Sequence, residues 1–209
     1  MSGLRFFHKD ECPFCWKARI ALAETGTDYE LITLGPGDDR GELDRLSPSG
    51  TTPVLADDRL VIWESAVILE YLNDQSGGLL MPTSDHGRAQ ARLLQAYSDS
   101  QIGRHLREVV FEKRGKPEIQ WDRERIAKGE AGWRRCLDWL EAHLRRQDFF
   151  SGSFGVAECA LYPRFALAER YGVGVDGRHP GLLRWYTALS ERPSCRATRP
   201  ASLSDSQAA

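Results

Sequence analysis

A change of period at residues 73–87, "NDQSGGLLMPTSDHG", constrains the fold more than any other feature. That stretch is rich in Gly, Ser, Pro and Asp and has no apolar repeat, so it reads as a linker. Before it, short apolar runs alternate with helical spacing. After residue 88 only helical spacing is found. Such a chain must divide its apolar side chains between two cores, one built on a small sheet and one on helices alone. At 209 residues it is long enough for each to bury a core of its own.

The first 75 residues spell a definite order. "LRFFH", residues 4–8, is short, apolar and aromatic, as a buried strand is. A helix should follow at once, with Cys12 at the N-cap, Pro13 at the first helical position where its missing N–H costs nothing, and Gly26 closing the far end. Ala18, Ala21 and Leu22 offer it an apolar face. "DYELITL", residues 28–34, reads as a second strand, broken by Gly35-Pro36-Gly37. A polar helical stretch over 39–46 leads to "PVLA" and "RLVIW" around Asp57-Asp58, a hairpin signal. Val67, Ile68, Tyr71 and Leu72 then recur at helical spacing behind Ser65 as N-cap. The order is βαβ, a connecting helix, then ββα.

Beyond residue 88, Ala89, Leu93, Ala96 or Tyr97, Leu106 and Val110 mark one long helix, and Trp133, Leu137, Leu140 and Leu144 another. "FGVAECALYPRFALAER" predicts a helix capped by Gly155 and Glu158, a capping box that lacks its usual Ser or Thr, and Pro163 should bend it. A last helix carries Leu182, Trp185, Tyr186 and Leu189 and ends near Pro193. The expected organisation is an α/β domain over 1–75, a linker over 76–87, an all-α domain over 88–195 and a loose tail over 196–209.

Apolar residues at 41% and charged residues at 28% are those of an ordinary folded chain. A net charge of -2, with both signs mixed throughout, gives no field for a phosphate backbone, so nucleic acid is not an expected partner. No apolar run approaches roughly 18 residues, and the start has no cationic segment leading into an apolar one. A cytoplasmic protein with no membrane partner is expected.

Five cysteines stand at 12, 15, 136, 159 and 195, an odd set with one close pair. A zinc site, a disulfide staple, a redox centre and a glutathione-handling thiol can all begin with "CPFC". The spacing is not that of a disulfide framework, and no second pair or grouped histidine supplies further zinc ligands, so no metal is expected. A thiol reacts as thiolate, and the unpaired N–H groups and dipole of a helix N-terminus favour that anion. Cys12 is placed for this and is the candidate nucleophile. Cys15, a turn inside the helix, is either a resolving thiol or a small buried core residue.

A strand, "CPFC" opening a helix, "TTPVL" some 40 positions on and "WES" opening another helix together resemble the glutathione S-transferase superfamily, as do the later "GVAECALYP" and "ERPS". The resemblance covers nearly the whole chain. It implies a thioredoxin-like α/β N-terminal domain plus an all-α C-terminal domain, and within the superfamily the cysteine-type, omega-like and glutaredoxin-like members match best. By that resemblance Cys12 is the active cysteine, and Pro13 and Phe14 line the glutathione site. Pro53 is cis, Thr52 pairs through its backbone with the cysteinyl part of glutathione, and Glu64 and Ser65 hold its γ-glutamyl end. Glutathione is then a co-substrate, the second substrate a small molecule or a protein thiol, and the assembly a homodimer. Thr51-Thr52 stands where many relatives have Lys-Val, which removes one charge contact.

The implied activity is thiol transfer through mixed disulfides. Its rivals are a non-catalytic interaction module on the same fold and a glutathione-dependent dehalogenase or isomerase with the same first half. Tyr97 and Trp121 are read as core residues before substrate contacts.

Overall fold

The apolar runs of the first 75 residues become four short strands in a computed structural model that describes residues 3–204. They are β1 (Arg5–His8), β2 (Glu30–Thr33), β3 (Val54–Ala56) and β4 (Val61–Ile62), in the sheet order β2-β1-β3-β4. β1 and β2 are parallel, with Phe6 opposite Leu31, while β3 runs antiparallel to both β1 and β4. A parallel pair needs a crossover. Helix α1 (Pro13–Thr25) supplies it and stops at Gly26, whose φ of +62° suits the left-handed end of the helix.

Alternation along β1 sends Phe7 to one face, against Leu34, Leu43, Val54 and Ala56, and Phe6 with His8 to the other. Leu43 comes from helix α2 (Gly41–Leu46); helix α3 (Ser65–Gln75) packs against α1. Both faces of the sheet are thus covered. The β3–β4 turn closes because Asp57 Oδ1 accepts the N–H groups of Arg59 at 2.7 Å and Leu60 at 2.8 Å.

Two compact units result, one made of the chain up to Met81 together with Pro193 onward, the other of Pro82–Arg192. The second unit is helical. Ser84 caps α4 (Asp85–Tyr97), which passes through a π-helical turn (Ser98–Ile102) into α5 (Gly103–Lys113), so the single long helix read from the sequence carries a wide turn in its middle. Asp122 caps α6 (Arg123–Leu144) by accepting from the Arg125 N–H at 2.9 Å. α7 (Val156–Arg170) continues through Pro163, and α8 (Pro180–Ser190) completes the unit. Trp133, Phe165, Trp185 and Tyr186 fill its core with ring centroids 5.0–6.0 Å apart. Glu158 makes half of a capping box, since Gly155 has no side chain to return the bond.

Two expectations shift. The linker is shorter than 73–87, because α3 runs to Gln75 and Asn73 Oδ1 accepts from the Leu80 N–H at 3.1 Å, tucking Leu80 into the core. The all-α domain does not extend to 195, nor is the following segment loose: α9 (Pro193–Ala197) packs on α1, and α10 (Ala201–Ser204) follows. Thr198 Oγ1 accepts from the Trp16 indole N–H at 3.1 Å, and Cys195 and Leu203 are buried, which gives this polar stretch its hold. The rest of the expected tail, 205–209, lies outside the described residues. Among those described, no helix is long and apolar enough to cross a membrane.

Candidate functional site

Sheet register gathers the sequence-predicted residues at one end. Because β3 is antiparallel to β1, with Phe7 opposite Val54, the segment leaving β1 lies beside the start of β3. Because β4 is antiparallel to β3, with Ile62 opposite Leu55, the chain leaves β4 at that same end. The Cys12 loop follows β1, Thr52-Pro53 precedes β3 and Glu64-Ser65 follows β4, so all three meet there.

Cys12 is the N-cap of α1, with extended backbone (φ -92°, ψ 118°) and Pro13 at the first helical turn. Its carbonyl accepts from the Trp16 N–H at 2.8 Å and its own N–H donates to the Lys9 carbonyl at 3.4 Å. Cys12 is partly exposed, while Cys15 is fully buried. Cys15 Sγ accepts from the Lys9 N–H at 3.5 Å. Burial pushes the Cys15 thiol well above its usual range, and the neighbouring Cys12 raises it further, against the smaller pull of Thr52. Cys15 is therefore within interaction range of both Cys12 and Thr52. Cys15 is the thiol that keeps its proton.

The Thr52–Pro53 peptide is cis, as the resemblance implied. Glu64, not Ser65, is the N-cap of α3; it is exposed, and its carbonyl accepts from the Ile68 N–H at 2.9 Å. Ser65 becomes the first helical residue and is buried. The shift of one residue leaves the unpaired N–H groups of the first turn where they were expected. Phe14 is partly exposed, with Lys17 Nζ 5.6 Å from its ring centroid.

Sequence reasoning passed over Arg19, His8 and Asp10. Arg19 is buried on α1 and its guanidinium donates to Asp10 Oδ1 at 3.2 Å and to the Asp10 carbonyl at 2.9 Å. His8 Nε2 lies 2.9 Å from Thr33 Oγ1, and burial together with Arg19 pushes the imidazole down to about 4. The available signal was spacing, since Arg19 falls seven residues after Cys12. Cys136, Cys159 and Cys195 are buried, in helices α6, α7 and α9. No group of three or more His, Cys, Asp or Glu among the described residues is arranged to hold a metal ion.

The chain matches the family described as "Glutathione S-transferase, N-terminal domain" over residues 11–75 and "Glutathione S-transferase, C-terminal domain" over 123–188. It is 29% identical to Glutathione S-transferase GstB of Escherichia coli over 191 residues, covering 86% of this chain and 89% of that one. It is 28% identical to a Stringent starvation protein A homolog of Pasteurella multocida, with 87% and 82% covered. A theta class glutathione S-transferase from Xanthomonas axonopodis pv. citri, solved with glutathione bound, superposes with a TM-score of 0.86 at 25% identity, over 97% of this chain and 100% of that one. With a mixed sheet carrying helices in its first half, a helical second half and both family domains matched in order, this chain belongs to the glutathione S-transferase superfamily.

Proposed function

We propose that this protein is a cysteine-type, omega-like glutathione transferase that moves thiols through mixed disulfides, with Cys12 as nucleophile. The observation that carries the reading is the setting of Cys12, partly exposed at the N-cap of α1 beside Pro13. Unpaired N–H groups of the first turn and the helix dipole favour a thiolate there. The Cys12 thiolate attacks the glutathionyl sulfur of a mixed disulfide, forming a Cys12–glutathione disulfide and expelling the other thiol as thiolate. A second glutathione thiolate then attacks that bond, releasing oxidised glutathione and restoring Cys12. Buried Cys15 keeps its proton, so glutathione and not Cys15 resolves the intermediate.

Thr52, Pro53 and Phe14 flank the tripeptide in this reading, and the start of α3, with Glu64 and Ser65, receives its γ-glutamyl end. A carboxylate suits a helix N-terminus, and the exposed Glu64 suits the ammonium. The neighbour solved with glutathione bound supports glutathione as the ligand. The second substrate is a small molecule or a protein thiol, and the protein acts in the cytoplasm as a homodimer.

Mass spectrometry after treatment with oxidised glutathione tests the assignment: the adduct should sit on Cys12, and Cys12→Ser should lower thiol-transfer kcat/KM on the order of 10²-fold or more. Full turnover in Cys12→Ser refutes it. A second reading is an interaction module without turnover; the Stringent starvation protein A homolog is a relative whose name is not that of a transferase. An unmodified Cys12 together with no retention on immobilised glutathione would favour that one.

A further inference from the structure

Residues 12, 15 and 19 share one side of α1, since spacings of three and seven return to the same face. Arg19 is buried there at 6% exposure, and its side chain reaches back toward the start of the helix. It grips Asp10 twice, by side chain at 3.2 Å and by backbone carbonyl at 2.9 Å. Asp10 belongs to the short segment joining β1 to the nucleophile. In that segment the Lys9 carbonyl accepts from the Cys12 N–H and the Lys9 N–H donates to Cys15 Sγ. One guanidinium therefore holds the loop that places both sulfurs.

We infer that Arg19 is a positioning residue for the thiol chemistry of Cys12: through Asp10 it clamps the 9–11 loop, and so holds Cys12 at the helix start where the N–H groups favour the anion. The inference rests on the reading of Cys12 as nucleophile. A guanidinium stays protonated when buried, so the charge is permanent.

His8 and Tyr29, which face Arg19, do not compete with Asp10 for the guanidinium. From β1, His8 is pushed down to about 4 and so is neutral at physiological pH, with Nε2 on Thr33 and Nδ1 buried without a hydrogen-bond partner. From the segment before β2, burial raises the Tyr29 phenol despite Arg19, leaving it neutral as well. Asp10 is the carboxylate paired with Arg19, and the pair is half-sheltered, with the Arg19 side chain 7% exposed.

The test uses the full chain and reads two quantities, the pH midpoint of Cys12 alkylation by iodoacetamide and steady-state thiol transfer from a glutathione mixed disulfide. Arg19→Gln should raise the midpoint by about one unit. It should also lower kcat about 10-fold while the KM for glutathione changes less than about 2-fold. Asp10→Asn keeps the carbonyl grip and should show less than half of each effect. Arg19→Lys keeps a cation but not the double grip, so it should recover only part of the midpoint and of kcat. A folded Arg19→Gln variant with an unmoved midpoint and kcat overturns the clamp, as does an Asp10→Asn effect equal to that of Arg19→Gln. Should Arg19→Gln fail to fold, wild-type kcat in both Arg19→Lys and Asp10→Asn overturns it. A wild-type midpoint as high as that of an ordinary cysteine refutes the reading of Cys12 itself, whereas a depressed midpoint that Arg19→Gln leaves in place, with kcat unmoved, refutes the clamp alone.

Discussion

Glu158→Gln should change the stability of the helical unit in a manner that depends on pH. Glu158 is wholly buried in the first turn of α7, and its two oxygens accept from the Phe150 N–H at 2.9 Å and the Gly155 N–H at 3.0 Å. Those bonds favour the carboxylate, but burial disfavours it more and raises the group from 4.5 to about 7. A raised carboxyl gives stability that is complete below the unfolded value of 4.5 and declines as pH rises to about 7. At 1.36 kcal/mol per unit, the rise of about 2.5 units is worth about 3 kcal/mol across that window. Glutamine does not titrate. It keeps one acceptor and turns an amide N–H against the other donor, costing about 1–3 kcal/mol near pH 5. The wild-type advantage should therefore shrink by about 2–3 kcal/mol between pH 5 and pH 8. Urea unfolding followed by tryptophan fluorescence reads this directly, because Trp185 lies 5.5 Å from the Phe150 ring. An advantage that is constant with pH, or that widens, would mean that the two N–H bonds outweigh burial, and the reasoning fails.

Gly132→Ala should destabilise the α5–α6 packing by about 1–3 kcal/mol, measured as a lowered urea midpoint. An added Cβ would lie 2.1 Å from His105 Nδ1 and 2.4 Å from its Cγ, too near the root of that side chain for a simple rotation to relieve. The homodimer should appear as twice the chain mass in sedimentation velocity; Trp63 and Val67, exposed beside Glu64, offer apolar surface for it. A monomer at micromolar concentration would remove the dimer from the proposal.

The site was legible where chemistry is local. Cys12 and Pro13 are read as the start of a helix because Pro lacks the N–H that position does not use, and no distant contact is needed to see it. The hairpin at Asp57 is equally local, closed by its own carboxylate. The boundary at Ser65 moved to Glu64 because a Ser before a helix and a Ser in its first turn look alike in sequence. Arg19 stayed hidden because a charged residue on an amphipathic helix is read as solvated, and only the return of the loop after β1 reveals the acid that buries it. Residues 196–204 read as loose because they are mostly polar, while their hold comes from single residues, Thr198 on Trp16 and Leu203 in the core.

The sequence by itself determined the order of elements, the split into a sheet-bearing half and a helical half, and the thiol at a helix start, since period, proline and glycine act over a few neighbours. Tertiary structure decided which thiol keeps its proton, which arginine is buried and where the chain's end is anchored. Those outcomes depend on burial and on partners far apart in sequence, as Trp16 and Thr198 are, and desolvation is a property of the surrounding fold, not of the residue.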